Sequence, residues 1–256
     1  MAATALRVVE ANARYYRHTW RGSVISSFAV PLFTLLAMGY GLGRLVNQQG
    51  AINGVDYVTF LAPALLAATA MTTAAGESSY PVLAGIKWTK SFHAALATPV
   101  GVNDLIYGLF GWLSLRLLFN LVIYGAIAAA LGAMSWRSAL LAVFPAALTG
   151  LAFATPITAW VAQLENDTGL ASLFRFGIMP LFLFSGTFFP ISQLPDWMEP
   201  IAYLSPLWHG VELTRFVAGV PDTPYFEWWI HAGVLVALTA VGTRIAIRTL
   251  SETLRK

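Results

Sequence analysis

The sequence predicts an all-α integral membrane protein: six transmembrane helices, an N-terminal amphipathic interfacial helix, and a re-entrant outer hairpin between spans five and six. Three observations predict it. Charged residues make up only 11% of the 256-residue chain, against about 25% in an ordinary soluble domain. Hydrophobic residues make up 57% and the mean hydropathy is +0.67. One soluble core of this size cannot hide that much apolar surface, so lipid must solvate part of it. Finally, six apolar stretches are each long enough to cross a bilayer, roughly 23–43, 57–76, 105–132, 138–163, 168–190 and 226–247, a crossing needing about 20 residues. The reading is one transmembrane domain over 1–256, with no internal repeat and no second domain.

The N-terminal 1–22 segment lacks the continuous apolar core of a signal peptide. Leu6, Val9, Ala13, Tyr16 and Trp20 recur at spacings of three and four, with Arg7, Glu10, Arg14, Arg17 and Arg21 one step on. That pattern is an amphipathic helix with a basic face, suited to the headgroup plane or to a cytoplasmic partner.

Lys and Arg set the orientation. One side receives Arg7, Arg14, Arg17, Arg21, Lys87, Lys90, Arg244, Arg248, Arg255 and Lys256; the other receives Arg44, Arg137 and Arg215. Both termini are therefore expected in the cytoplasm. Trp20, Trp88 and Trp160 fall at the inner interface and Trp136, Trp228 and Trp229 at the outer one, where amphipathic rings settle.

Between spans two and three, residues 77–104 form a long cytoplasmic loop. It contains a helix-compatible set, Phe92, Ala95 and Leu96, closed by Thr98-Pro99, and Asn103 or Asp104 can cap the third span. Loops of this length are seldom kept without a use, and a short helix here suits docking. Residues 191–225 form the long outer connection, rich in Pro and Trp. Non-helical backbone at membrane depth must be covered by protein or line a cavity, so two short helices, around 195–203 and 206–218, fold back into the outer leaflet.

Within the spans, Arg116 sits near mid-membrane, with Asn120 one turn later. Such an arginine faces a bundle interior or a wet cavity. It contacts an anionic headgroup or acts as a conformational latch; or it is a structural tie. Glu212 and Arg215, three apart, pair with each other or mark the rim of a passage.

Several chemistries are missing. No Gly-Lys pair exists, so no phosphate-binding P-loop. The four histidines show no metal spacing. Ser185-Gly186 lacks the surroundings of an intramembrane serine protease. With zero cysteines there is neither disulfide nor thiolate.

Two regions carry a family resemblance. The first is Gly76-Glu77 through Leu96, Thr98-Pro99, Asp104 and Gly108. The second is Ser185-Gly186, Phe189-Pro190, Leu194-Pro195, Trp197, Leu204, Pro206-Leu207, Glu212 and Arg215. Together they resemble the permease subunits of type-2 ABC exporters, in the branch of the nodulation lipo-oligosaccharide and daunorubicin-type drug exporters. The resemblance implies a homodimer or heterodimer of permeases docked on a separate nucleotide-binding ATPase, which would hold ATP and Mg while this chain binds no cofactor. It implies export of an amphipathic substrate and no enzymatic activity in this chain. Coupling would fall to Glu77, Lys87, Phe92, Leu96, Thr98, Pro99 and Asp104. Spans two and five would line the path, with Phe182, Ser185 and Phe189 contributing beside Arg116 and Asn120. Pro190, Pro195, Trp197, Glu212 and Arg215 would form the outer gate. An ATP-independent channel or carrier is the alternative, although neither inverted repeats nor unwound polar helices are found.

Overall fold

Long apolar helices need partners of small residues if they are to pack without a hydrophobic drive between them. This chain supplies them in two helices, Tyr57–Ser78 and Trp136–Val161. The computed structural model describes residues 2–52 and 54–254, apart from the side chains of residues 2, 3 and 19–28. The side chains of Trp20, Arg21, Arg255 and Lys256, used above for the stripe and the orientation, lie outside the described residues.

The first helix, α1 (Ala2–Thr34), continues through π-helical turns at Leu35–Leu42 into α2 (Gly43–Gln49). Then come α3 (Tyr57–Ser78), α4 (Tyr80–Leu83), π-helical turns at Ala84–Trp88, and α5 (Ser91–Leu96). Helices α6 (Val102–Ala130) and α7 (Trp136–Val161) follow. A further rod consists of α8 (Thr168–Ser172), π-helical turns at Leu173–Ile178 and α9 (Met179–Phe184). A 3-10 turn at Ile191–Gln193, α10 (Glu199–Tyr203), α11 (Pro206–Ala218) and α12 (Trp228–Thr253) complete it. Among the described residues the only β pairing is an isolated bridge between Ile52 and Val55.

Helix α7 is the hub, packing on α3, α6, α11 and α12, while α1 lies along α6. The alanine-rich stretch from Leu61 to Ala75 of α3 is almost entirely buried. The Tyr124 hydroxyl donates to the Ala62 carbonyl at 3.0 Å, tying α6 to α3. At the far end of the first rod, the Tyr40 hydroxyl donates to the Leu131 carbonyl, just past α6.

Five helices are long and apolar enough to cross a membrane: Ala29–Gln49, Tyr57–Trp88, Val102–Ala130, Trp136–Val161 and Trp228–Thr253. They match five of the six expected spans. The fifth expected span, 168–190, is helical only over Thr168–Phe184, some 25 Å of helix at 1.5 Å per residue. It stops short because the backbone of residues 185–189 is captured by other elements, as shown below.

Three more expectations change. No break separates the predicted interfacial helix from the first span; they are one continuous rod. Its inward stripe is also displaced. Leu6 and Ala13 are exposed, whereas Val8 is buried and Tyr16 half-buried. The cause is Gly108 of α6: a Cβ there would stand 2.5 Å from Val8, so its absence lets Val8 seat on the α6 backbone. The 77–104 connection is likewise not a loop at its start, because helix runs on to Trp88. Its turn is at Lys90, in the left-handed region at φ 52.

Candidate functional site

Two Arg–Glu constellations lie at opposite ends of the helix bundle. At the end where α1 begins and α3 finishes, Arg116 Nη1 meets Glu77 Oε1 at 2.7 Å, with the side chains 17% and 26% exposed. The guanidinium also lies 4.6 Å from the centre of the Tyr16 ring, a cation–π distance. Tyr16 in turn packs edge-on against Trp112 at 5.6 Å. One cluster thus joins α1, α3 and α6. The sequence placed Arg116 near mid-membrane and Glu77 in a loop. Helical continuation of α3 brings Glu77 inside reach, and the long arginine side chain extends to meet it.

Beside this cluster lies a cavity of about 1010 Å³ between α1, the 77–100 segment and α6. Glu77 and Arg116 both line it, together with Arg7 and the aromatic side chains of Tyr80, Trp88 and Trp112. Thr98 and Pro99 belong to its wall as well. Phe92 also lines it but is only 7% exposed; its ring fills the space where a Gly85 Cβ would stand, 2.5 Å away. The docking residue expected at Phe92 is therefore an anchor of α5, and Leu96 is half-buried. The exposed face of α5 is Ser91, His93 and Ala94, with Lys87 exposed before it. Asp104 does act at the start of α6: the Gly101 N–H donates to its carboxylate at 3.3 Å.

At the other end, Arg215 of α11 is 2% exposed. Its Nε donates to the Phe60 carbonyl at 3.2 Å, and its Nη2 to the carbonyls of Gly186 at 2.7 Å and Thr187 at 3.3 Å. The guanidinium stands 3.6 Å from the Phe60 ring centre. Glu212 Oε1 is 3.7 Å from its Nη1, and the Tyr225 N–H donates to Glu212 Oε2 at 2.9 Å. Glu212 and Arg215 do pair, but the shorter contacts of Arg215 are to carbonyls. These carbonyls belong to the irregular backbone that ends α9, groups that would otherwise be buried without partners. Tyr57 adds a bond from its hydroxyl to the Phe188 carbonyl at 3.0 Å.

Helix α11 is buried along nearly its whole length, from Leu207 to Arg215. It reaches the middle of α7, where a Cβ on Gly210 would stand 2.1 Å from Thr149 Oγ1. Any larger residue at Gly210 would push the helix out. Ser205, the cap of α11, shares a 2.6 Å hydrogen bond with Ser185. His209 Nδ1 and His231 Nδ1 are 3.0 Å apart, linking α11 to α12. Burial pushes the His209 imidazole below its ordinary range and, against the opposing pull of Arg215, holds the Glu212 carboxyl above its own. Around them, Ile191, Leu194, Ala202 and Trp208 make a small apolar core with Phe189 packed on it. Pro190 and Pro195 bracket the 3-10 turn inside this region, while Trp197 is 70% exposed.

Residues 8–218 match the family model described as ABC-2 type transporter. The chain belongs to the ABC-2 type transporter family. It is 33% identical over 196 residues to nodulation protein J of Sinorhizobium fredii, covering 75% of this chain and 72% of that one. It is 31% identical over 222 residues to nodulation protein J of Rhizobium meliloti, covering 86% and 82%. The inner membrane transport permease YadH of Escherichia coli is 22% identical over 204 residues, 78% of each chain. This ABC-2 permease is thus a multi-pass membrane protein and a component of membrane transport.

Within the ABC-2 permease the path residues expected from sequence are spread over α6, α9 and the irregular backbone after it. Arg116 meets Glu77 and Tyr16. Phe182 packs edge-on against Phe188 at 5.2 Å, Ser185 pairs with Ser205, and Asn120 lies one turn beyond Arg116 on α6. Sequence reading missed the Glu77–Arg116 pair, which joins a residue assigned to coupling with one assigned to the path. Helical reading of α3 past residue 76 would have exposed it. It also missed the histidine pair, which no spacing rule connects.

Proposed function

We propose that this ABC-2 permease is the transmembrane subunit of an ATP-driven exporter. It moves an amphipathic substrate (a glycolipid, a lipid-linked saccharide or a hydrophobic drug) out of the cytoplasm or the inner leaflet. A separate nucleotide-binding ATPase carries ATP and Mg, and a second permease copy, identical or related, completes the path. The chain sits in the inner membrane with both termini cytoplasmic. The family match over residues 8–218 carries this reading, together with the missing phosphate loop.

The docking surface is the exposed face of α5 with the basic start of α1, where Arg7, Arg14 and Arg17 are exposed. Buried Phe92 holds α5 in place. The re-entrant α10–α11 hairpin closes the outer side, held by Arg215. Burial of α11 between α3, α7 and α12 supports that placement, since backbone at membrane depth must be covered by protein.

The test is co-purification from the native host. The reading expects a P-loop ATPase with the wild-type chain, and its loss in a His93→Glu/Ala94→Asp variant that still folds. If no ATPase binds the chain or is stimulated by it, the ATP-independent carrier takes its place.

A further inference from the structure

We propose that the cavity between α1, the 77–100 segment and α6 binds an inner-leaflet amphipath bearing an anionic group, which exchanges for Glu77 on Arg116. The placement at the inner leaflet rests on the transport reading; the binding itself requires no ATPase and can be tested without one.

Four features carry the inference. The first is size: about 1010 Å³ is at the upper end of small-molecule sites, roughly 300–1,000 Å³. The space suffices for a headgroup and part of a chain. The second is the wall. Tyr80 and Trp88 line it while 44% and 56% exposed. Rings with one apolar body and one polar tip belong where headgroups meet chains. The third is charge. Arg7 and Arg116 line the cavity against a single carboxylate, Glu77, so the wall carries an excess of positive charge. Lys87, Lys90 and Arg17 add to it on the same end, whereas Arg14 is paired with Glu10 at 2.6 Å.

The fourth feature is the pair itself. Its side chains are 17% and 26% exposed, so it is reachable from the cavity. Removing one partner of a buried pair is costly because it strands a charge, but swapping one anion for another leaves the arginine compensated. A phosphate or carboxylate can accept from the guanidinium as Glu77 does, and can do so with two oxygens. Tyr16 and Trp112 hold the guanidinium in place during the exchange. Glu77 stands at the head of the segment that leads to α5. Releasing it removes that segment's ion-pair tie to α6, so an occupied cavity would differ from an empty one at the docking surface.

The experiment uses the purified full chain in detergent and reads tryptophan quenching by lipids brominated in their acyl chains. Brominated phosphatidylglycerol should quench at about tenfold lower mole fraction than brominated phosphatidylcholine, the scale of one charge-assisted hydrogen-bonded contact. A Trp88→Phe/Trp112→Phe variant should lose that quenching component. Glu77→Gln, which removes the competing carboxylate and keeps the arginine, should strengthen phosphatidylglycerol quenching several-fold. Arg116→Gln should erase the difference between the two lipids; if that variant does not fold, the Glu77→Gln result decides alone. Equal quenching by both lipids, or no gain in Glu77→Gln, overturns the proposal. Inorganic phosphate should leave the quenching unchanged. Displacement by phosphate alone would show that the apolar walls contribute nothing, and the amphipath would be rejected.

Discussion

Arg116–Glu77 and Arg215–Glu212 use the same two residue types at opposite ends of one bundle, and they do different work. Arg215 is 2% exposed and spends its donors on three backbone carbonyls. Glu212 is a distant partner at 3.7 Å. Arg116 has a short 2.7 Å contact to Glu77 but stands beside an open cavity. The difference teaches that burial and the identity of the acceptor, rather than the presence of an ion pair, decide the role. A guanidinium bonded to main-chain carbonyls cannot be released without unmaking the fold. One bonded to a side-chain carboxylate at a cavity wall has a partner that other anions can replace.

The largest expected effect breaks the outer tie. Arg215→Ala should cost about 3–5 kcal/mol, the scale of a buried charge network losing one member, seen as a collapse of the thermal unfolding midpoint in detergent. A midpoint within a degree of wild type would remove the distinction drawn between the two arginines. Next, Gly210→Val should drive α11 from Thr149, with the loss of about 1–3 kcal/mol typical of overpacking. It should make cysteines placed at Leu194 more reactive to external reagents; unchanged labelling would show that the hairpin does not depend on that contact. Glu77→Gln should cost only about 1 kcal/mol, because a pair 17% and 26% exposed at a cavity wall lies between surface and buried cases. A cost equal to that of Arg215→Ala would make both arginines structural.

Acidity probes the outer end more gently. His209 has its pKa lowered in the fold, so the unfolded or undocked ring binds more protons. Stability is then full above its ordinary value of about 6.5 and declines as pH falls below that value toward the depressed one. Thermal midpoints should fall between about pH 7 and 5, and His209→Phe should flatten that slope. A slope retained in His209→Phe would place the titration elsewhere. The smallest effect belongs to Arg248, whose pair with Glu252 is 83% and 63% exposed. Arg248→Ala should leave the midpoint unmoved within error.

Much of this architecture was legible from hydropathy alone, because period and length report burial directly. The helices at 57–76, 105–132 and 138–163, and the hairpin helix at 206–218, lie where the apolar pattern put them. What escaped depended on contacts between distant residues. The fifth rod ends at Phe184 because Arg215, 29 residues away from Gly186, binds the carbonyls beyond it, and no local signal announces that. The stripe of α1 was displaced by a glycine on another helix. Phe92 looked like an exposed knob because the pattern shows that a residue is apolar, not which neighbour has made room for it. The candidate sites were read as sets of residue types; their division into an inner and an outer group follows from tertiary packing.

The rod from Ala2 to Gln49 has one further implication. At 1.5 Å per residue it is about 70 Å long, more than twice the thickness of a hydrocarbon layer of about 30 Å. Its beginning touches α6 at Gly108, and Tyr40 grips the turn beyond the far end of the same helix. Movement imposed on its first turns meets two compliant places, Pro31 inside the helix and the wider coils at 35–42. The rod is built like a drive shaft with a jointed stretch near its middle, carrying mechanical displacement from one face of the bundle to the other.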